Sequence, residues 1–150
     1  DLVRAAGELG WYGLFVPEEF GGGTVSGSAV CDAVIVAEER GRLVQPGPFV
    51  ATNVVAFALA TAGRREQQEE WLPRLASGDA IATWAIGDRS GAPHPGAISA
   101  RPGAGGCTLS GTGGVVAETA TADGLLVPAR RDHPLVRLLG DAAGTLFLGT

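Results

Sequence analysis

Up to about residue 79, apolar side chains recur every three or four positions; beyond it, short apolar runs alternate with Gly, Pro and Ser. The first pattern belongs to amphipathic helices and the second to strands joined by turns. Helices first and strands afterwards give a segregated α+β organisation, not a βαβ fold. The expected architecture is an N-terminal all-α helical domain over residues 1–79, followed by a partial antiparallel β-sandwich or barrel over residues 80–150.

Residues 2–9 read as the end of a helix stopped by Gly10. An apolar turn segment, residues 11–20, leads into the Gly21-Gly22-Gly23 loop. Ser26 or Ser28 caps a second helix, in which Val30, Ala33, Val34 and Ala37 form one stripe. Glu38 and Arg42 are spaced to pair on its wet side. Residues 49–62 predict a third helix that is apolar nearly all round, hence central to the bundle, and closed by Gly63. A fourth starts near Glu66 with Gln68, Trp71, Leu72 and Leu75 along one side. Pro73 predicts a kink or restart there, because an interior proline removes a helical hydrogen bond. Strands are expected at residues 81–86, 97–100, 107–109, 115–117 and 125–127, with Gly103, Gly105 and Gly106 in a hairpin turn. The chain starts within an apparent helix and stops within an apparent strand, and it contains no Met; both ends read as cut.

Composition narrows the function classes. A net charge of −5 without a basic stripe argues against nucleic acid. No stretch approaches the roughly 20 apolar residues of a spanning helix, and no signal peptide is visible, so a cytoplasmic protein is the default. All basic side chains are arginine, which reflects genome composition. Cys31 and Cys107 are too few for a disulfide framework or a zinc site; Cys31 reads as a small hydrophobe within a helix.

The usual catalytic constellations are absent from the sequence. There is no G-x-S-x-G elbow, no P-loop and no G-x-G-x-x-G after a strand. His94 and His133 stand beside prolines in loops and are not expected to bind metal or catalyse. The pairs Glu18-Glu19 and Glu38-Glu39 read as solvated faces. No metal site is expected.

Local wording carries more. Gly10-Trp11-Tyr12-Gly13-Leu14-Phe15-Val16-Pro17-Glu18-Glu19-Phe20-Gly21-Gly22 resembles the N-terminal signature of acyl-CoA dehydrogenases, and Ala37-Glu38-Glu39-Arg40-Gly41-Arg42 resembles the helix end that follows it. Residues 66–79, with Trp71-Leu72-Pro73-Arg74-Leu75-Ala76-Ser77-Gly78, resemble the helix leading into that family's β domain. Leu109-Ser110-Gly111-Thr112 and residues 122–130 resemble two β-domain strands with their turns. Together, in order, these motifs cover about residues 1–130.

The resemblance implies a helical N-terminal domain and the start of a middle β domain, with the C-terminal helical domain absent from these residues. It implies FAD as cofactor, an acyl-CoA thioester as substrate, an electron-transfer protein as acceptor, and a homo- or hetero-oligomer. In the family a glutamate base takes the α-proton while hydride leaves the β-carbon for the flavin. None of Glu8, Glu18, Glu38 or Glu118 has that glutamate's position, so no catalytic residue is expected here and the piece alone is expected to be inactive. Residues 83–88 lie where the family has an aromatic and then a Thr-Glu-Pro turn against the flavin. Trp84 fits the aromatic; Gly87, Asp88 and Arg89 replace the turn. Val115, Val116 and Ala117 stand where Trp-Ile-Thr or Trp-Ile-Ser is common, so a hydroxyl donor is missing. Trp84, Ile86, Gly87, Asp88, Val115, Val116 and Ala117 are the cofactor-binding residues the resemblance implies, largely through backbone N–H groups, which every residue but proline supplies. A non-catalytic partner subunit of a mixed assembly and a ligand-free interaction module are the competing readings.

Overall fold

The computed structural model describes residues 2–86, 90, 98–103, 106–131 and 144–149. Four helices precede the strands: α1 (Leu2–Glu8), α2 (Ala29–Arg42), α3 (Phe49–Ala62) and α4 (Arg65–Ser77), with a 3-10 turn at Glu18–Phe20. Ser28 caps α2, its side chain accepting from the Cys31 N–H at 3.4 Å. Gly10 and Gly78 take left-handed backbone, with φ of 78° and 75°, at the ends of α1 and α4. Among the described residues five strands follow: β1 (Ala82–Trp84), β2 (Ile98–Gly103), β3 (Gly106–Gly111), β4 (Gly124–Arg131) and β5 (Gly144–Gly149). The α+β class and the helices-then-strands order are as expected.

The strand pairing is mixed. β2–β3 and β4–β5 are antiparallel, whereas β4 runs parallel to β1 and, over two residue pairs, to β2. The parallel β1–β4 pair is possible because a long connection separates the two strands in sequence. Asp123 fixes its register: the carboxylate accepts from the Ile81 N–H at 2.9 Å, and the Asp123 N–H donates to the Ile81 carbonyl at 2.8 Å.

Helices and sheet share one core. Val55, Ala56 and Leu59 of α3 and Trp71, Leu72 and Leu75 of α4 pack with Ala82 of β1 and Leu126 of β4. The Thr52 hydroxyl spans the junction, donating to the Ala82 carbonyl at 3.2 Å.

Five local expectations change. α4 is continuous through Pro73, which is exposed. Trp71, Leu72 and Leu75 bury the opposite side, so packing offsets the lost hydrogen bond and water reaches the freed carbonyl. The stripe of α2 is not buried: Val30 and Val34 are 62% and 59% exposed. α2 packs instead through Asp32 and Arg40, both buried, with Ala33 and Val36 half-buried. The Arg42 guanidinium pairs with Glu39, at 3.2 Å, and not with Glu38. Cys31 lies in α2 but is exposed. As for α3, one side is core, while Val50 and Phe57 stay 61% and 53% exposed along an apolar groove of about 420 Å³ shared with α2.

Candidate cofactor-binding site

The two-residue period of a strand divides β1 and β4 between two surfaces. Ala82, Trp84 and Leu126 face the helices and join their core. Ala85, Leu125 and Val127 face the other way and line a cleft of about 330 Å³ together with Ile98, Leu109 and Val116. The two segments singled out in the sequence, around 84–86 and 115–117, therefore border one cleft. They are 30 residues apart along the chain and no turn motif links them.

Trp84 sends its indole to the helical side, half-buried. Ile86 is half-buried just past the end of β1. Gly87 and Asp88 lie outside the described residues, as do His94 and His133. Residues 115–117 do not form the expected strand. Val115 is fully exposed, Val116 half-buried and Ala117 exposed. The backbone turns immediately afterwards, with Glu118 at φ 61°. The Thr119 and Thr121 hydroxyls donate to the Val116 and Glu118 carbonyls at 2.7 and 3.2 Å. Local side-chain bonds thus satisfy groups that a strand would pair with a neighbour.

A residue that sequence reasoning passed over joins the two segments. Thr83, 1% exposed, donates from its hydroxyl to the Ala117 carbonyl at 2.9 Å. A threonine in a strand is ordinary, so no sequence signal marks it. Among the described residues, the N–H groups of Ile86, Val116 and Ala117 make no hydrogen bond. Apolar cleft walls with backbone donors at their border form a set that suits a planar heteroaromatic ring with polar edges. This fits the isoalloxazine of a flavin. No group of three or more metal-ligating side chains occurs among the described residues.

Burial raises the Tyr12 hydroxyl above its ordinary value; Arg40 opposes this and Glu118 reinforces it. Glu18 and Glu19 are exposed, and Glu19 pairs with Arg65 at 3.1 Å. No described helix is long and apolar enough to cross a membrane.

A helical layer docked on one side of a small mixed sheet, with a ligand-sized cleft on the other, defines the class of the protein. Residues 1–79 match the acyl-CoA dehydrogenase N-terminal domain. The chain belongs to the acyl-CoA dehydrogenase family. It is 40% identical over 76 residues to acyl-CoA dehydrogenase IpdE2 of Mycolicibacterium smegmatis, covering 51% of this chain and 22% of that protein. The ChsE4-ChsE5 complex from Mycobacterium tuberculosis aligns over 99% of this chain and 37% of its own, with 30% identity and a TM-score of 0.78. An acyl-CoA dehydrogenase complexed with FAD from Bacillus anthracis aligns over 99% and 25%, with 27% identity and a TM-score of 0.74. The chain thus spans well under half the length of each.

Proposed function

We propose that this chain is the front part of an FAD-dependent enzyme that α,β-dehydrogenates acyl-CoA thioesters. Residues 1–79 act as its helical N-terminal domain and residues 80–150 as part of its middle β domain. The observation that carries the reading is the shared cleft: Ala85, beside Trp84 and Ile86, and Val116, beside Val115 and Ala117, line the same apolar walls. When bound, FAD would supply the hydride-accepting chemistry. This chain's residues would bind and orient the ring: the apolar walls would exclude water, and the N–H groups of Ile86, Val116 and Ala117 would be the donors to its polar edge. With Ala117 in place of a hydroxyl residue, that donation is left to the backbone. Gly87 and Asp88, next along the sequence, are included in the proposed contact with the ring. An electron-transfer protein would serve as the electron acceptor.

The proton-abstracting glutamate is not among these residues, so residues 1–150 alone are inactive. A dye-acceptor assay with acyl-CoA tests this: the piece gives no turnover while the full-length enzyme does. Turnover by the piece overturns the assignment of the base.

The 30% identity to a chain of the ChsE4-ChsE5 complex favours one second reading, a subunit of a mixed assembly. The altered residues Gly87, Asp88 and Ala117 fit a subunit that leaves chemistry to its partner. Flavin content of the full-length protein, purified alone and with the product of its genomic neighbour, separates the two. Flavin bound alone supports the enzyme; flavin found only in the mixed assembly supports the partner subunit.

A further inference from the structure

We propose that Thr83 is a positioning residue for the flavin: its hydroxyl latches residues 115–117 to β1 and so sets where the open amides of Val116 and Ala117 stand. The inference rests on the flavin reading above.

Thr83 shares the cleft face of β1 with Ala85, because strand side chains alternate. Residues 112–117 belong to no strand, and the turn after them is closed by its own threonines. Among the described residues, the Thr83–Ala117 bond is the one hydrogen bond that ties residues 112–117 to another element. Its donor is buried, so losing the partner would leave the hydroxyl unsatisfied, and the bond is held in place by that cost. Donors that bind a rigid ring must stand within a few tenths of an ångström of their place; a segment without a ladder depends on such a latch.

The test uses the full-length protein. Thr83→Val keeps the shape and removes the donor; Thr83→Ser keeps the donor. Thr83→Ala, which also lacks the donor, makes the same comparison with a smaller side chain. We expect Thr83→Val to weaken FAD binding about five- to tenfold and to shift the visible circular dichroism of the bound flavin, with Thr83→Ser within about twofold of wild type. Amide exchange at residues 112–120 of the FAD-free protein rises in Thr83→Val and stays wild-type-like in Thr83→Ser. Unchanged FAD affinity and dichroism in Thr83→Val, whatever the melting temperature does, overturns the inference. Wild-type protein that takes up no FAD sinks the flavin reading instead; unchanged amide exchange then still overturns the latch.

Discussion

The Arg40 guanidinium donates a 2.7 Å hydrogen bond to the carbonyl of Pro46 from a residue only 6% exposed. A second, longer bond reaches the Gln45 carbonyl, and the same group lies over the rings of Trp11 and Phe49 at 5.5 and 5.4 Å. One planar cation therefore joins α2, the α2–α3 loop and the apolar signature segment. Arg40→Met keeps much of the volume and removes the bonds, and is expected to destabilise the chain by about 2–3 kcal/mol in urea unfolding. Arg40→Lys does not rescue it, because an ammonium lacks the planar fork.

Asp32 supplies a pH-dependent contribution. Its carboxylate accepts from the N–H groups of Val25 and Ser26 at 2.8 and 3.2 Å. The Ser26 side chain first, then the backbone N–H groups, lower its pKa against the opposing effect of desolvation. A depressed folded pKa gives stability that is present above the unfolded value of about 3.9 and lost as pH falls through the lower folded value. The stability difference between wild type and Asp32→Ala should therefore be constant at neutral pH and shrink in acid. A difference that grows on acidification contradicts the assignment.

Gly7 lets α1 cross the end of α4. A Cβ there would run into the Ser77 carbonyl, and both elements are backbone at that point. Gly7→Ala is expected to cost about 2–3 kcal/mol, read as a lowered midpoint of thermal or urea unfolding. A midpoint within error of wild type would show that the two helices can separate without penalty.

Val44 closes α2 where glycine is the usual residue. Its N–H donates to the Gly41 carbonyl at 3.1 Å and the Gln45 N–H to the Arg40 carbonyl at 2.9 Å, the paired bonds of a Schellman end. The β-branched side chain is held at φ 49° and is 87% exposed, so it gains nothing by burial. Val44→Gly should stabilise by about 0.5–1 kcal/mol, the relief of left-handed strain exceeding the added entropy of the unfolded chain. Differential scanning calorimetry reads the sign directly.

The helical half was legible because its signals are local. Gly10, Ser28 and Gly78 mark helix boundaries through backbone geometry and capping, and each does so here. The buried side of α4 also follows from its spacing. The stripe of α2 misled because spacing tells which residues share a face, not which face a neighbour covers. In this chain Val30 and Val34 look across a groove, while Asp32 and Arg40 are buried by the partners their polar atoms find.

By itself the sequence determined the order of helices and strands, the caps, and the family wording that runs from Gly10 to Arg130. These depend on dihedral preference and short-range periodicity, which residues a few positions apart fix among themselves. Only the tertiary structure decided that β1 and β4 pair in parallel through Ile81 and Asp123, and that Thr83 joins residues 115–117 to β1. Those outcomes rest on hydrogen bonds between groups more than 30 residues apart. Such bonds form only after the chain has brought their partners together, so no local pattern encodes them.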